Sequence, residues 1–297
     1  MKSIKLKSKN FLIRLWLAFI VVLATIWLIL NLTAAKIPLL GFHTIIDIHK
    51  QEDRPFQASV FQAMNYFKPD MEVLLDYLVQ QNYWFISAQE LYDYFLTKSQ
   101  QIPPEHIGQK PIMLSFDDGY KNIYTNLLPI LEKLETKYGR KVKVVLFVNP
   151  GTLADYQSNA SIHMTCKDLR LGLAKGFYDI QSHGLNHKKL TELSTEDLIV
   201  EVAEAQAKLR KCTQDLDPNQ TVAAHLAYPY GASNKKVEEY ASKYYLSGYL
   251  YNSKIMKLGW VRNNYQIPRL SINWSKAPSR LIEMAQRSTQ LTKTEKR

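Results

Sequence analysis

The sequence predicts an α/β domain: a parallel sheet with helices packed outside it, closed most simply as a (β/α) barrel. Three observations predict it. Strand-like and helix-like patterns alternate from residue 37 to residue 288, the order that builds parallel sheets with crossover helices. Residues 142–148 form a run rich in β-branched residues, as in a strand buried on both faces. No glycine-rich phosphate fingerprint follows any strand, which removes the main reason to prefer an open, nucleotide-binding sheet.

The elements follow in order. Residues 37–43 read as the first strand, with Pro38 near its start, where a missing N–H is tolerated. Over 70–80 the apolar residues Met71, Val73, Leu74, Tyr77 and Leu78 recur at helical spacing. A strand over 83–86 leads to Ser87, which caps a helix ending near Thr97, with Glu90 completing a capping box. Pro103 and Pro104 break the chain before a strand over 111–116. A helix over 124–138, the strand over 142–148 and a polar loop over 149–161 come next. Helices are then predicted over 165–174, 194–212 (Ser194 and Asp197 forming its cap), 233–245 and 278–288. Strands are predicted over 177–181, 221–227, 246–251 and 267–272.

Composition excludes global disorder, with 46% hydrophobic and 22% charged residues in a chain of 297. The net charge of +11 does not predict a nucleic-acid partner. Five of those charges sit in the acid-free segment 1–14 (Lys2, Lys5, Lys7, Lys9 and Arg14), and the rest are scattered apart from a basic tail, Lys293 to Arg297. The run from Leu15 to Leu32 is apolar except for Thr25 and Asn31, long enough at about 1.5 Å per residue for a membrane span. Lysines precede it, which keeps the N-terminus cytoplasmic and exports the remainder. A cleaved signal peptide is the rival, since Thr33-Ala34-Ala35 offers small residues, but the run is long for one. The chain is therefore divided into a basic cytoplasmic segment (1–14), a transmembrane anchor (15–35), an extracytoplasmic domain (36–290), periplasmic or at the cell surface, and a basic tail (291–297). Cys166 and Cys212 have no metal-ligand spacing, and export would permit but not require their pairing.

Two motifs end predicted strands. Ser115-Phe116-Asp117-Asp118-Gly119 sets two carboxylates side by side, so that one can reach a metal while its neighbour reaches the water on it. Alone, Asp-Asp-Gly is mostly a turn signal. His183-Gly184-Leu185-Asn186-His187 places two imidazoles four residues apart, neutral donors suited to Zn²⁺. Asp plus two His leaves a coordination position open, as catalytic rather than structural sites do. No Gly-x-Ser-x-Gly is present to suggest a serine nucleophile.

With these motifs and Tyr228-Pro229-Tyr230-Gly231, the sequence resembles the polysaccharide deacetylases of the NodB-homology type (carbohydrate esterase family 4) over about residues 37–275. Residues 37–43, ending Gly41-Phe42-His43, also resemble the opening strand of the branch acting on poly-N-acetylglucosamine and other exopolysaccharides. The resemblance implies a distorted (β/α) barrel and hydrolysis of N-acetyl groups on a polysaccharide. It implies Asp118, His183 and His187 as ligands of Zn²⁺ or a similar divalent ion, Asp117 as general base, and the Tyr230 N–H as oxyanion donor. Exopolysaccharide synthesis or export proteins are the implied neighbours.

The sequence departs from the family pattern in three places. Gly184 stands where Ser or Thr is usual. Residues 223–227, Ala-Ala-His-Leu-Ala, lack the Arg that orients the base, and Arg269 is the candidate substitute. Leu270-Ser271-Ile272 is followed by Asn273 rather than the acid His, which leaves His43 first and His225 second as general acid, although a buried, hydrogen-bonded core position is the favoured fate of His225. The missing acid and Arg motivate one rival, a glycan-binding protein that has lost catalysis; a second, a deacylase of another amide or ester, arises because the site recognises a carbonyl more clearly than a sugar.

Overall fold

The computed structural model describes residues 2–58, 61–156 and 162–291, and gives no side chains at 2–12, 30, 32, 33 and 156. The expected basic tail from Lys293, the side chains of Lys2, Lys5, Lys7 and Lys9, and part of the predicted loop over 149–161 lie outside these residues. The chain forms two units, Met1–Ala35 and Lys36–Arg297.

The first unit is one helix, α1 (Lys2–Thr33). Its side chains over 13–29 are exposed, Trp16, Phe19 and Trp27 among them. No helix among the described residues is long and apolar enough to cross a membrane. The expected anchor over 15–35 is therefore not shown by the described residues.

The second unit carries strands β1 (Lys36–Ile37), β2 (Leu39–Phe42), β3 (Thr44–Ile46), β4 (Asn65–Phe67), β5 (Tyr83–Phe85), β6 (Lys110–Asp118), β7 (Val144–Val148), β8 (Tyr178–Ser182), β9 (His225–Ala227), β10 (Ser247–Tyr249), β11 (Met256–Lys257) and β12 (Leu270–Ser271). Its helices are α2 (Lys68–Gln80), α3 (Ala88–Glu90), α4 (Leu128–Tyr138), α5 (Cys166–Ala174), α6 (Thr195–Thr213), α7 (Lys235–Ala241) and α8 (Pro278–Gln286). The main sheet has eight strands in the order β10-β9-β8-β7-β6-β2-β12, with β5 also on β6. Every pairing in it is parallel. β5 pairs with residues 110–112 of β6 and β2 with residues 113–116.

Strand alternation sorts the side chains into two layers. Leu39, Met113, Val145, Phe147, Ala227, Tyr249 and Ile267 pack together on the inside of the curled sheet. Leu40, Phe42, Leu114, Phe116, Leu146, Val148 and Ile180 pack outward against α2, α4, α5 and α8. The predicted strand over 267–272 is split. Ile267 bridges Tyr249 of β10, while Leu270 and Ser271 pair with β2. One short segment therefore links the two sheet edges and curls the sheet toward a barrel.

Several capping expectations hold. Ser87 and Glu90 form the reciprocal capping box, and the Ser194 side chain accepts the Asp197 N–H. Other boundaries move. The predicted strand over 221–227 shrinks to β9 because the Asp217 carboxylate accepts the N–H groups of Thr221 and Val222, tying 221–224 into a turn. The helix expected over 233–245 is shorter, α7 being capped by Asn234 and ending at Ala241. Cys166 and Cys212, left open by the sequence, form a disulfide joining α5 to α6.

Candidate active site

The site grows from the parity of β6. Met113 faces the interior cluster, and two steps on Ser115 and then Asp117 follow it inward; Leu114 and Phe116 face out. By the same rule Asp118 should point outward. Instead its φ of 72° is left-handed, as is that of Gly119 at 74°. This conformation is costly for most residues but accessible to Asp and Gly, and it turns the carboxylate back across the end of the sheet. His187 (57°) and Tyr230 (60°) share the left-handed region. Three site residues held in a sparsely populated conformation mark a place where the surroundings over-determine the backbone.

β6 and β8 pair with β7 on either side, so the two motifs rise at the C-terminal ends of parallel strands separated by one strand. Asp118 Oδ1 lies 3.5 Å from His183 Nε2 and 3.3 Å from His187 Nε2. The three ligand atoms all fall within 4.8 Å of one another. His183 Nδ1 is 2.8 Å from the Ala227 carbonyl, to which it donates, leaving Nε2 as the bare donor atom. Asp118 Oδ1 is buried with no hydrogen-bond partner. Burial holds His183 neutral, its pKa lowered to about 3, and lowers that of His187. Burial, helped by the neighbouring Asp117 charge, lifts Asp118 to about 6. A buried orphan acceptor facing two neutral imidazole nitrogens is a donor set that fits a divalent cation.

Arg269 completes the site from the seam. Ile267 faces inward, and so, two residues on, does Arg269. It is fully buried and grips Asp117 with two parallel bonds of 2.6 and 2.8 Å. Ser115 Oγ lies 3.1 Å from the same guanidinium, and Arg269 Nε donates to the Leu250 carbonyl at 3.1 Å. Burial pushes Asp117 up, but Arg269, aided by His183, outweighs it and holds the carboxyl at about 2. The geometry of a planar fork on a carboxylate makes this pairing rigid as well as strong.

Among protein families, the one described as polysaccharide deacetylase matches residues 105–248, which include both motifs. The chain carries a polysaccharide deacetylase domain. The relative YxkH of Bacillus subtilis (strain 168), provisionally named a polysaccharide deacetylase, is 24% identical over 209 residues, 70% of this chain and 62% of that protein. The chain thus spans less than two thirds of that relative's length. Among solved structures, a Bacillus cereus polysaccharide deacetylase superposes with a TM-score of 0.67 at 19% identity, covering 85% of this chain and 69% of that one. The Streptococcus pyogenes deacetylase PplD, solved with acetate, gives 0.66 at 24% identity over 84% of this chain and 98% of its own. IcaB from Ammonifex degensii gives 0.64 at 17% identity over 85% and 97%. At these identities the structural likeness establishes the fold, a curled parallel α/β sheet of the NodB type.

Within the deacetylase domain the other expected residues separate. The His43 ring lies edge-on to Tyr251, ring centroids 5.2 Å apart. Tyr230 is 65% exposed, its ring centroid 4.6 Å from that of His187. His225 takes the buried, hydrogen-bonded place in the core that the sequence favoured for it. It starts β9, at the end of the sheet opposite the site, fully buried and bonded to Ser247 Oγ (2.7 Å) and Gln89 Oε1 (3.1 Å). It is a core histidine, with burial lowering its pKa to about 3. Asn273, where the family's acid was sought, accepts bonds from Ser275. Sequence reasoning missed Tyr251, whose hydroxyl donates to the Gly41 carbonyl at 2.8 Å and whose ring lies 5.3 Å from the Arg269 guanidinium. No motif flags it.

Proposed function

We propose that this domain hydrolyses N-acetyl groups of an extracytoplasmic polysaccharide and releases acetate, using Zn²⁺ or a similar divalent ion held by Asp118, His183 and His187. One observation carries the reading: three converging donor atoms stand beside a second carboxylate that a buried Arg keeps ionised. Such an ion would supply Lewis acidity, lowering the pKa of a water and polarising the acetamide carbonyl.

The chain's own residues do the rest. Asp117, ionised and fixed in orientation, takes the proton of the attacking water as general base. The Tyr230 N–H is assigned to the oxygen on which negative charge develops, a contribution of about 3–4 kcal/mol for one such donor. His43 is assigned to protonate the departing amine. Arg269 answers the missing family Arg, which weakens the rival of a catalytically silent glycan binder. That PplD was solved with acetate agrees with the product proposed here.

The soluble and membrane fractions of cells making the full chain are expected to release acetate from N-acetylglucosamine oligomers, to stop after chelation and to resume with Zn²⁺. His43→Gln, run alongside, is expected to keep zinc and lose turnover. Full turnover by metal-free protein, or zinc-loaded protein that yields acetate from no N-acetylated glycan, would sink the reading.

We also propose single-pass anchoring by the apolar run from Leu15 to Leu32, with the domain outside. The exposed apolar side chains of α1 support it, and so does the Cys166–Cys212 disulfide, a bond at home in oxidising compartments. Protease added to intact spheroplasts is expected to digest the 36–297 unit; full protection would contradict this placement.

A further inference from the structure

We infer that Glu201 is a positioning residue for the metal-ligating turn, holding residues 183–187 in the one shape that aims both imidazoles at a common centre. The inference rests on the metal site of the deacetylase reading, and zinc binding tests it without any substrate.

Glu201 projects from the middle of α6 and is fully buried. A carboxylate there is expensive unless its oxygens are well satisfied. Here every hydrogen bond it receives comes from the residues between the two histidines. Its Oε2 accepts the backbone N–H of Leu185 at 3.0 Å and of Asn186 at 2.9 Å. Its Oε1 accepts Asn186 Nδ2 at 3.0 Å, and Lys188 Nζ lies 3.8 Å from the same oxygen. The turn's carbonyls are held from the other side: Asn149 Nδ2 donates to those of His183 and Gly184. The Leu185 carbonyl accepts the Gly151 N–H at 2.8 Å. Donors go to Glu201 and acceptors to the 149–151 segment.

Gly184 fits this scheme. Its φ is +75°, and a Cβ there would stand 3.4 Å from Glu201 Oε2. It brings no hydroxyl, so the position itself adds no acceptor, and the carboxylate serves the two N–H groups that follow. The consequence reaches His187, which completes the turn in a left-handed conformation. Such a residue keeps its geometry only while its neighbours are fixed. A glutamine at 201 would have one carbonyl oxygen for the three donors and would set its NH₂ against an N–H. The turn would relax, and the spacing between the two Nε2 atoms with it.

Glu201→Gln in the full-length chain is expected to bind Zn²⁺ about 10- to 100-fold more weakly in competition with a chromophoric chelator, as losses of ligand-supporting partners do. The Co²⁺-loaded variant should show altered d–d absorption. Asn186→Ala removes one bond from an exposed side chain and leaves both backbone donors, and a smaller loss of zinc affinity is expected. Wild-type zinc affinity and an unaltered cobalt spectrum in both variants, whatever their melting temperatures, would overturn the role. Should Glu201→Gln not fold, Asn186→Ala decides alone: an affinity equal to wild type counts against it. Wild-type protein that binds zinc but releases no acetate would strike the deacetylase reading and leave this inference standing.

Discussion

Arg269→Leu is expected to cut acetate release by about 10²- to 10⁴-fold, the range that a general base contributes, and to destabilise the fold by about 3–5 kcal/mol. Both effects have one origin. The guanidinium is fully buried and makes two bonds to a carboxylate that is itself 2% exposed. Removing it leaves Asp117 charged in a poor dielectric with only Ser115 and the site histidines nearby, and protonation becomes the easier outcome.

The pH dependence should report this directly. With Arg269 present the folded pKa of Asp117 is about 2, below the ordinary 3.8. The pair's contribution to stability is thus fully present above about pH 4 and lost as pH falls through 2. Without Arg269, burial dominates and the carboxyl rises, so the acid limb of the rate profile should move toward neutrality. Arg269→Lys keeps charge but not the two-pronged geometry, and an intermediate rate is expected. A rate profile in the leucine variant that overlays the wild type would remove Arg269 from the mechanism.

Asp118→Asn is expected to abolish zinc retention and to lower acetate release by at least about 10³-fold, since two imidazoles alone fall short of the three protein ligands of a catalytic zinc site. Its effect on stability should reverse with metal. In the metal-free chain the folded pKa of Asp118 is raised to about 6 by burial first and by Asp117. Such a group opposes folding increasingly as pH rises from about 4 through 6, because the unfolded chain ionises more readily. At pH 7 the metal-free asparagine variant should therefore melt above metal-free wild type. With saturating zinc the order should invert, because only the wild type gains binding energy. Metal-free variants that melt lower than wild type at pH 7, or an asparagine variant that still holds zinc, would contradict the assignment.

The disulfide and Glu201 show how far local pattern reaches. Cys166 and Cys212 are 46 residues apart, a separation without a spacing signature. They meet because α5 and α6 pack side by side on the outer face. Glu201 reads in sequence as one more charge on a helix. Only the packing of α6 against β8 shows that its side chain points inward, under the ligand turn. Tyr251 is silent for the same reason.

The sequence by itself determined the alternation of elements, the caps at Ser87 and Ser194, and the two strand-end motifs that hold the ligands. These are local: periodicity, capping and short motifs depend on neighbours a few residues away. Tertiary structure alone decided that Arg269 reaches Asp117 across 152 residues, and that Asp118 turns back against the parity of its strand. Each depends on closing the sheet through the broken segment 267–271 or on a left-handed backbone held by its surroundings. Such facts arise from contacts between distant segments, and no window of sequence contains both partners.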